Sequence, residues 1–203
     1  MERLILFWHK YRPRVDPSAL LYLKGICAIE DHQRGTILKL PDQPLPYLCI
    51  VLDGVVGGFE SQAIIGSVTE EDTGMLKLRE LILPMDYFSG PAHLFTLRNR
   101  TIEYQALSHV SVLRIPLAHA RDGQKRFPDL AELLQVMKQR KINQLRKQVV
   151  IYQERDHYRR YCLYRQLLPD WTYTLSRDIQ CQFLRMSKTH FHRVKAAYLR
   201  RRF

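Results

Sequence analysis

Apolar positions along the chain fall into stretches of different period. The opening MERLILFWHKY is a short amphipathic segment, and helical spacing recurs around Pro17–Lys24. Between residues 35 and 116 the pattern becomes short, β-branched and often alternating: GTILKL, YLCIVLDGVVGGF, AIIGSV, LKLRELIL, RTIEYQAL and VSVLRI read as strands. Turn material separates them at Pro41-Asp42, Asp53-Gly54, Asp72-Thr73-Gly74 and Pro84-Met85-Asp86. Many short strands about ten residues apart predict an antiparallel sandwich or barrel, not a parallel α/β sheet.

The texture changes at Arg121–Phe127. Pro128 suits the first position of a helix, and no Gly or Pro follows until Pro169. Leu130, Leu134 and Met137, then Ile142, Leu145, Val149 and Tyr152, recur at three- and four-residue steps with one slip, between mostly Lys, Arg and Gln. That stripe fits a helix packed on its own barrel. It also fits a two-stranded coiled coil joining two subunits. The pattern blurs at Arg155-Asp156-His157, which marks a hinge before a second helix through Leu168. Further on, Thr174 or Ser176 caps a helix over Asp178–Arg185, and Ser187 caps another from Lys188 to about Arg202. Ile179 and Phe183 make one face of the first apolar, and Phe191, Val194, Tyr198 and Leu199 one face of the second. Two short helices, a tight turn at Met186-Ser187 and a basic outer face predict a helix-turn-helix. The expected architecture is α+β: a jelly-roll β-domain over 1–127, a long helix over 128–154 and a helical domain over 155–203.

Composition and charge sharpen this division. With 46% hydrophobic residues the chain can bury a core, and no run approaches the ~18 apolar residues of a membrane span. The opening apolar run is too short for a signal peptide. Cys27, Cys49, Cys162 and Cys181 lie far apart, as reduced thiols of a cytoplasmic protein do, and neither a disulfide framework nor a zinc knuckle is expected. The net charge is +12 over 32 Lys/Arg and 20 Asp/Glu, yet residues 1–130 hold 15 of each. The whole excess therefore sits in residues 131–203, with 17 basic and 5 acidic side chains. A neutral body with a basic end points to a polyanion partner, most often nucleic acid. Catalytic signatures are missing: there is no GxSxG, Walker loop or HExxH, and the one HxH, His190-x-His192, sits in the helical end where i and i+2 diverge. No enzyme, no metal site and no cofactor is expected.

Four stretches in this order resemble the Crp/Fnr family of bacterial transcription regulators. Leu48–Gly54, LCIVLDG, resembles a family strand ending in Gly, and Pro84–Gly90, PMDYFSG, the turn that opens the phosphate-binding cassette. Arg100–Ala106 followed by VLRIP resembles the next pair of strands, and Asp178–Val194 the helix-turn-helix. The resemblance runs from about residue 20 to the C-terminus. It implies a cyclic-nucleotide-binding-like sensor and a homodimer reading a pseudo-palindromic site on double-stranded DNA, with RNA polymerase as a further partner. Arg100 and Thr101 stand where the family holds a cyclic phosphate, whereas Gly90 or Pro91 stands where it has the ribose-binding Glu. Cyclic AMP is therefore not the expected effector; a small acidic effector, or none, is. The alternative for Arg100 is a structural pair with Glu103 or Asp86. Cys27 lacks the neighbours an iron–sulfur cluster needs, and His93 is a lone loop histidine, not a haem ligand.

By the same resemblance Lys188, Thr189, His192 and Arg193 would read base edges, while Ser176, Arg177, Ser187, Lys195 and Arg200 would contact phosphates. Arg185 replaces the family's small turn residue, and a side chain of that size fits the tight turn only if its φ is negative. The wing that usually follows the second helix is not expected, and the Arg200-Arg201-Arg202 end would supply its backbone contacts. The alternative function is a β-barrel ligand-binding or interaction module whose basic helical tail meets RNA or a protein partner non-specifically.

Overall fold

Eight strands and eight helices form among residues 1–61, 76–91 and 100–200, the residues that the computed structural model describes. They divide into two compact units, Met1–Lys138 and Gln139–Phe203.

The first unit opens with α1 (Glu2–Tyr11), which buries Leu4, Phe7 and Trp8 at helical spacing. In α2 (Pro17–Ile26), Pro17 lies in the first turn, where its missing N–H costs nothing, and the Asp16 carboxylate accepts from Ser18 N at 2.8 Å. Eight strands follow: β1 (Ala28–His32), β2 (Ile37–Lys39), β3 (Tyr47–Asp53), β4 (Val56–Ser61), β5 (Leu76–Ile82), β6 (Tyr87–Ser89), β7 (Glu103–Ala106) and β8 (Val110–Pro116). They pair antiparallel in two four-stranded sheets, ordered β1-β8-β3-β6 and β2-β7-β4-β5. Cys49, Val51, Phe88, Val110 and Val112 of the first sheet meet Val56, Ile82, Tyr104 and Ala106 of the second in one core. This is the expected α+β architecture, with its strands in a two-sheet roll.

A second core lies on the other face of the first sheet. Leu48, Ile50, Leu52, Leu113 and Ile115 pack there with α1, α2, α3 (Leu117–Arg126) and the first turns of α4 (Pro128–Gln153). Leu130, Leu133, Leu134 and Met137 are each at most 4% exposed in it. Arg12 Nε pairs with Asp129 Oδ1 at 2.7 Å beside them, and Asp16 N donates to Asp129 Oδ2 at 2.6 Å. The expected domain boundary at 127/128 therefore moves into α4, because the helix begins as part of this core.

The second unit contains the rest of α4, then α5 (His157–Leu167), α6 (Trp171–Thr174), α7 (Arg177–Leu184) and α8 (Lys188–Arg200). The hinge expected at Arg155–His157 is a break between helices, with Asp156 capping α5 through Arg159 N at 2.8 Å. Phe183 is the centre of an aromatic core: Tyr152, Tyr164 and Trp171 have ring centroids 5.2, 5.7 and 5.1 Å from it. Phe191 packs on Tyr161 at 5.6 Å.

The strand pattern did not announce β1, β6 or α3. The expected strand AIIGSV and the Asp72-Thr73-Gly74 turn lie outside the described residues. One turn is sterically fixed: Gly54 joins β3 to β4 at φ 81°, and a Cβ there would fall 2.1 Å from the His109 carbonyl oxygen. Gly54→Ala is expected to destabilise the protein by about 2–4 kcal/mol, from left-handed strain plus the clash, read as a lower midpoint in urea unfolding.

Candidate functional site

Two places hold the residues singled out by the sequence. In the roll, Arg100 does not present a free guanidinium. Its Nη1 pairs with Glu80 Oε1 at 3.0 Å, and that carboxylate is 7% exposed. Tyr104 OH donates to the same oxygen at 2.8 Å, and the guanidinium carbon lies 5.9 Å from the Tyr104 ring centroid. The partner is thus Glu80 from β5, and neither Glu103 nor Asp86 as expected. Burial, with the Glu80 charge second, holds the Tyr104 hydroxyl far above its ordinary pKa. Glu80 is the residue sequence reasoning missed: in LKLRELIL it reads as one polar position of an alternating strand.

Lys39 was also missed. It is 2% exposed, and its Nζ donates to the carbonyls of Leu40, Arg100 and Ile102 at 2.9, 2.8 and 3.0 Å. Burial lowers its pKa, and the Arg100 charge adds to that. The ammonium ties β2 to the segment that carries Arg100. Thr101 is exposed, while Gly90 and Pro91 are buried. His93 lies outside the described residues. All four cysteines are free thiols, and burial pushes Cys49 up to about 12, so it is inert.

The second place is the α7–α8 pair. Ser176 caps α7 through Ile179 N at 3.4 Å, and Ser187 caps α8 through His190 N at 3.2 Å. Between the helices Arg185 takes φ 55°, ψ 48°, so the tight turn forms without the negative φ set as its condition. The reason is the hydrogen-bond pattern: Arg185 N donates to Gln182 O and Met186 N to Cys181 O, a Schellman motif that requires a left-handed residue. Met186 and Cys181 are buried, supplying its apolar contact, and the Arg185 guanidinium lies 4.7 Å from the Tyr152 ring. Three residues, Arg185, Met186 and Ser187, join α7 to α8 without glycine.

Phe191 and Val194 turn inward on α8, and every residue nominated on that helix, Lys188, Thr189, His192, Arg193, Lys195 and Arg200, is exposed. Ser176, Arg177 and Ser187 are exposed beside them. Two contacts organise these side chains: Lys188 Nζ sits 3.1 Å from Asp178 Oδ1, and Arg177 Nη1 donates to His192 Nε2 at 3.1 Å. Gln182 and Arg185, neither of them nominated from sequence, line the groove between α7 and α8 together with Asp178 and Lys188.

The stripe of α4 splits. Leu130, Leu134 and Met137 are buried in their own unit, so they are closed to a second subunit. Ile142, Leu145 and Val149 are 45%, 39% and 51% exposed, and Tyr152 packs on Phe183.

No family model matches the sequence, and no curated protein matches it. Solved structures do. FixK2 from Bradyrhizobium japonicum is similar at 13% identity and TM-score 0.67, over 87% of this chain and 86% of that one. A cyclic nucleotide-binding domain containing protein from Listeria monocytogenes is similar at 8% and 0.70, over 91% and 90%. CLP, the c-di-GMP responsive global regulator of Xanthomonas campestris, is similar at 14% and 0.63, over 91% and 92%. The chain shares the fold of these three proteins.

Within that fold the position where the resemblance looks for a ribose-binding Glu is closed. A Cβ on Gly90 would fall 2.5 Å from the Leu45 carbonyl oxygen and 2.6 Å from Leu45 N, so no side chain fits. The other half of an anion site, Arg100, is neutralised by Glu80. Of the two expectations for Arg100, the pairing with a carboxylate is the one present, through Nη1.

In the helical unit, His157 Nδ1 and His190 Nε2 lie 2.8 Å apart, joining α5 to α8. That contact needs at least one neutral ring. Burial lowers the His157 pKa, the His190 and Arg160 charges add to this, and Asp156 opposes it. A folded-state pKa below the unfolded one means that His157 binds its proton more readily when unfolded. Its contribution is therefore present above about pH 6.5 and lost as pH falls through the lowered pKa. The melting temperature is expected to drop between about pH 7 and pH 5, and to drop less in His157→Phe, measured by circular dichroism at matched ionic strength.

Proposed function

We propose that the protein is a homodimeric DNA-binding transcription regulator that does not respond to cyclic AMP. The observation that carries this reading is the exposed basic face of α8 behind a three-residue turn, in the unit that holds the entire net charge. Residues 139–203 contain 16 Lys/Arg against 4 Asp/Glu, and residues 1–138 contain 16 of each.

In this reading α7, the Schellman turn and α8 form the helix-turn-helix, and α8 enters the major groove. Lys188, Thr189, His192 and Arg193 face base edges, where Arg suits guanine in bidentate geometry. Ser176, Arg177, Ser187, Lys195 and Arg200 hold phosphates. Two copies pair through Ile142, Leu145 and Val149, presenting their α8 helices about 34 Å apart to successive major grooves. Support for an effector other than cyclic AMP comes from Gly90 and from the Arg100–Glu80 pair.

Titration onto random and genomic duplex fragments at several salt concentrations tests the reading. A sequence-preferring component that survives added salt is expected, whereas uniform binding that collapses with salt would overturn it. Arg193→Ala is expected to cost about 1–3 kcal/mol and to relax preference at one base position. Leu145→Glu with Val149→Glu is expected to convert a dimer to a monomer in sedimentation, with the melting temperature held because both side chains are exposed.

A further inference from the structure

The first turn of α5 touches both sides of the turn that joins α7 to α8. Arg160 Nη1 donates to the carbonyl of Leu184, the last residue of α7, at 3.1 Å, while its Nε donates to Glu154 O at 2.8 Å. Three residues earlier, on the same face of α5, His157 Nδ1 lies 2.8 Å from Nε2 of His190 in the first turn of α8. The two rings meet edge to face, with centroids 4.3 Å apart and planes at 69°. His190 is held through its backbone as well, since its N–H donates to Ser187 Oγ at 3.2 Å. Deeper between α5 and α8, Tyr161 packs on Phe191 and Tyr198 with centroids 5.6 and 5.4 Å away, an uncharged contact.

We propose that His157 and Arg160 are positioning residues for α8: α5 clamps the α7–α8 turn from both sides, and a second proton on the His157–His190 pair opens the clamp and lowers the preference for specific DNA sequences. This rests on the reading of α8 as the helix that enters the major groove. An N–H···N hydrogen bond uses one hydrogen between two nitrogens, so the pair holds when both rings are neutral and when one is charged. With both charged, each nitrogen carries a hydrogen, and two cations face each other at contact distance. Burial opposes a proton on His157 most, then His190 from α8 and Arg160 from α5, and Asp156 at the N-cap favours it. A bidentate base contact tolerates a shift of about 0.5 Å, whereas phosphate attraction tolerates more and grows with added positive charge. Acidification therefore lowers the ratio of specific to non-specific affinity, not binding as such.

Imidazole and amide NMR on the full chain without DNA tests the clamp itself. A scalar coupling between His157 Nδ1 and His190 Nε2 is expected at about pH 7.5 and lost by about pH 5, with the amides of residues 187–190 shifting along the same profile. Absence of that coupling at the higher pH, or amides that stay still, overturns the proposal. The output is read as the ratio of affinities for a preferred genomic duplex and a random one, at matched ionic strength, with folding at both pH values checked by circular dichroism. The ratio is expected to fall about three- to tenfold on acidification of the wild type. His157→Phe should start from a lower ratio and respond to pH by less than about twofold. His192 is present in both proteins, so the comparison removes its contribution. Arg160→Met, which releases Leu184 O and keeps both histidines, should lower the ratio at each pH and leave its fall intact. A wild-type fall retained in His157→Phe overturns the proposal, as does a wild-type ratio unchanged in Arg160→Met. Duplexes bound equally at every pH would overturn the regulator reading and the DNA output with it, while the coupling and the amides still decide the clamp.

Discussion

Leu130, Leu133, Leu134 and Met137 hold the first turns of α4 in the core of the roll unit, and the use of the rest of the helix follows from that anchoring. A buried Leu removed from water is worth about 2 kcal/mol, so four such side chains fix these turns firmly. Past Lys138 the helix has a different environment. Gln148 and Ile151 are at most 3% exposed, while Ile142, Leu145, Val149 and Val150 are left in solvent. The two explanations that the heptad-like stripe allowed are thus divided between its halves: self-packing accounts for the first half, and the second is the part open to a partner.

The same separation governs charge. The roll is neutral overall, and its conspicuous cations are answered internally: Arg100 by Glu80, Arg114 by Glu30, Lys39 by three carbonyl oxygens. Glu80 is buried, and leaving a buried charge without its partner costs about 3–5 kcal/mol, so Arg100 is a poor recruit for an incoming anion. The helical unit holds exposed cations instead, and Arg193, Lys195 and Arg200 make no ion pair among its described residues.

How far the sequence revealed this depended on whether a feature was local. The alternation of β3 and β8 and the caps Ser176 and Ser187 are local, and they read directly. β1, AIEDH, escaped because its side chains are exposed or half-buried and three of the five are charged or titratable, so no apolar period exists. β6 is three residues inside a turn motif, and the mean hydropathy of α3 is too low to mark it. Partner choice was illegible for a different reason. Glu80 meets Arg100 only because β5 and β7 flank β4 in one sheet, and Arg185 turns left-handed only because two carbonyls of α7 demand donors. Sequence names the residue types; tertiary geometry assigns the pairs.

The contacts already present on the exposed face of α8 bear on whether it is free to act. Lys188 and Asp178 are 64% and 51% exposed, and an ion pair in that setting contributes about 0–1 kcal/mol. The Arg177–His192 hydrogen bond needs a neutral imidazole, and a second phosphate-facing cation there would leave Arg177 without its acceptor. Both contacts therefore orient side chains in the unbound protein at little energetic cost to release. Each phosphate neutralised displaces condensed counterions, a gain that outweighs pairs of this size at moderate salt. The face is ordered enough to present Lys188 and His192 together, and weakly enough held that a polyanion would reorganise it on contact.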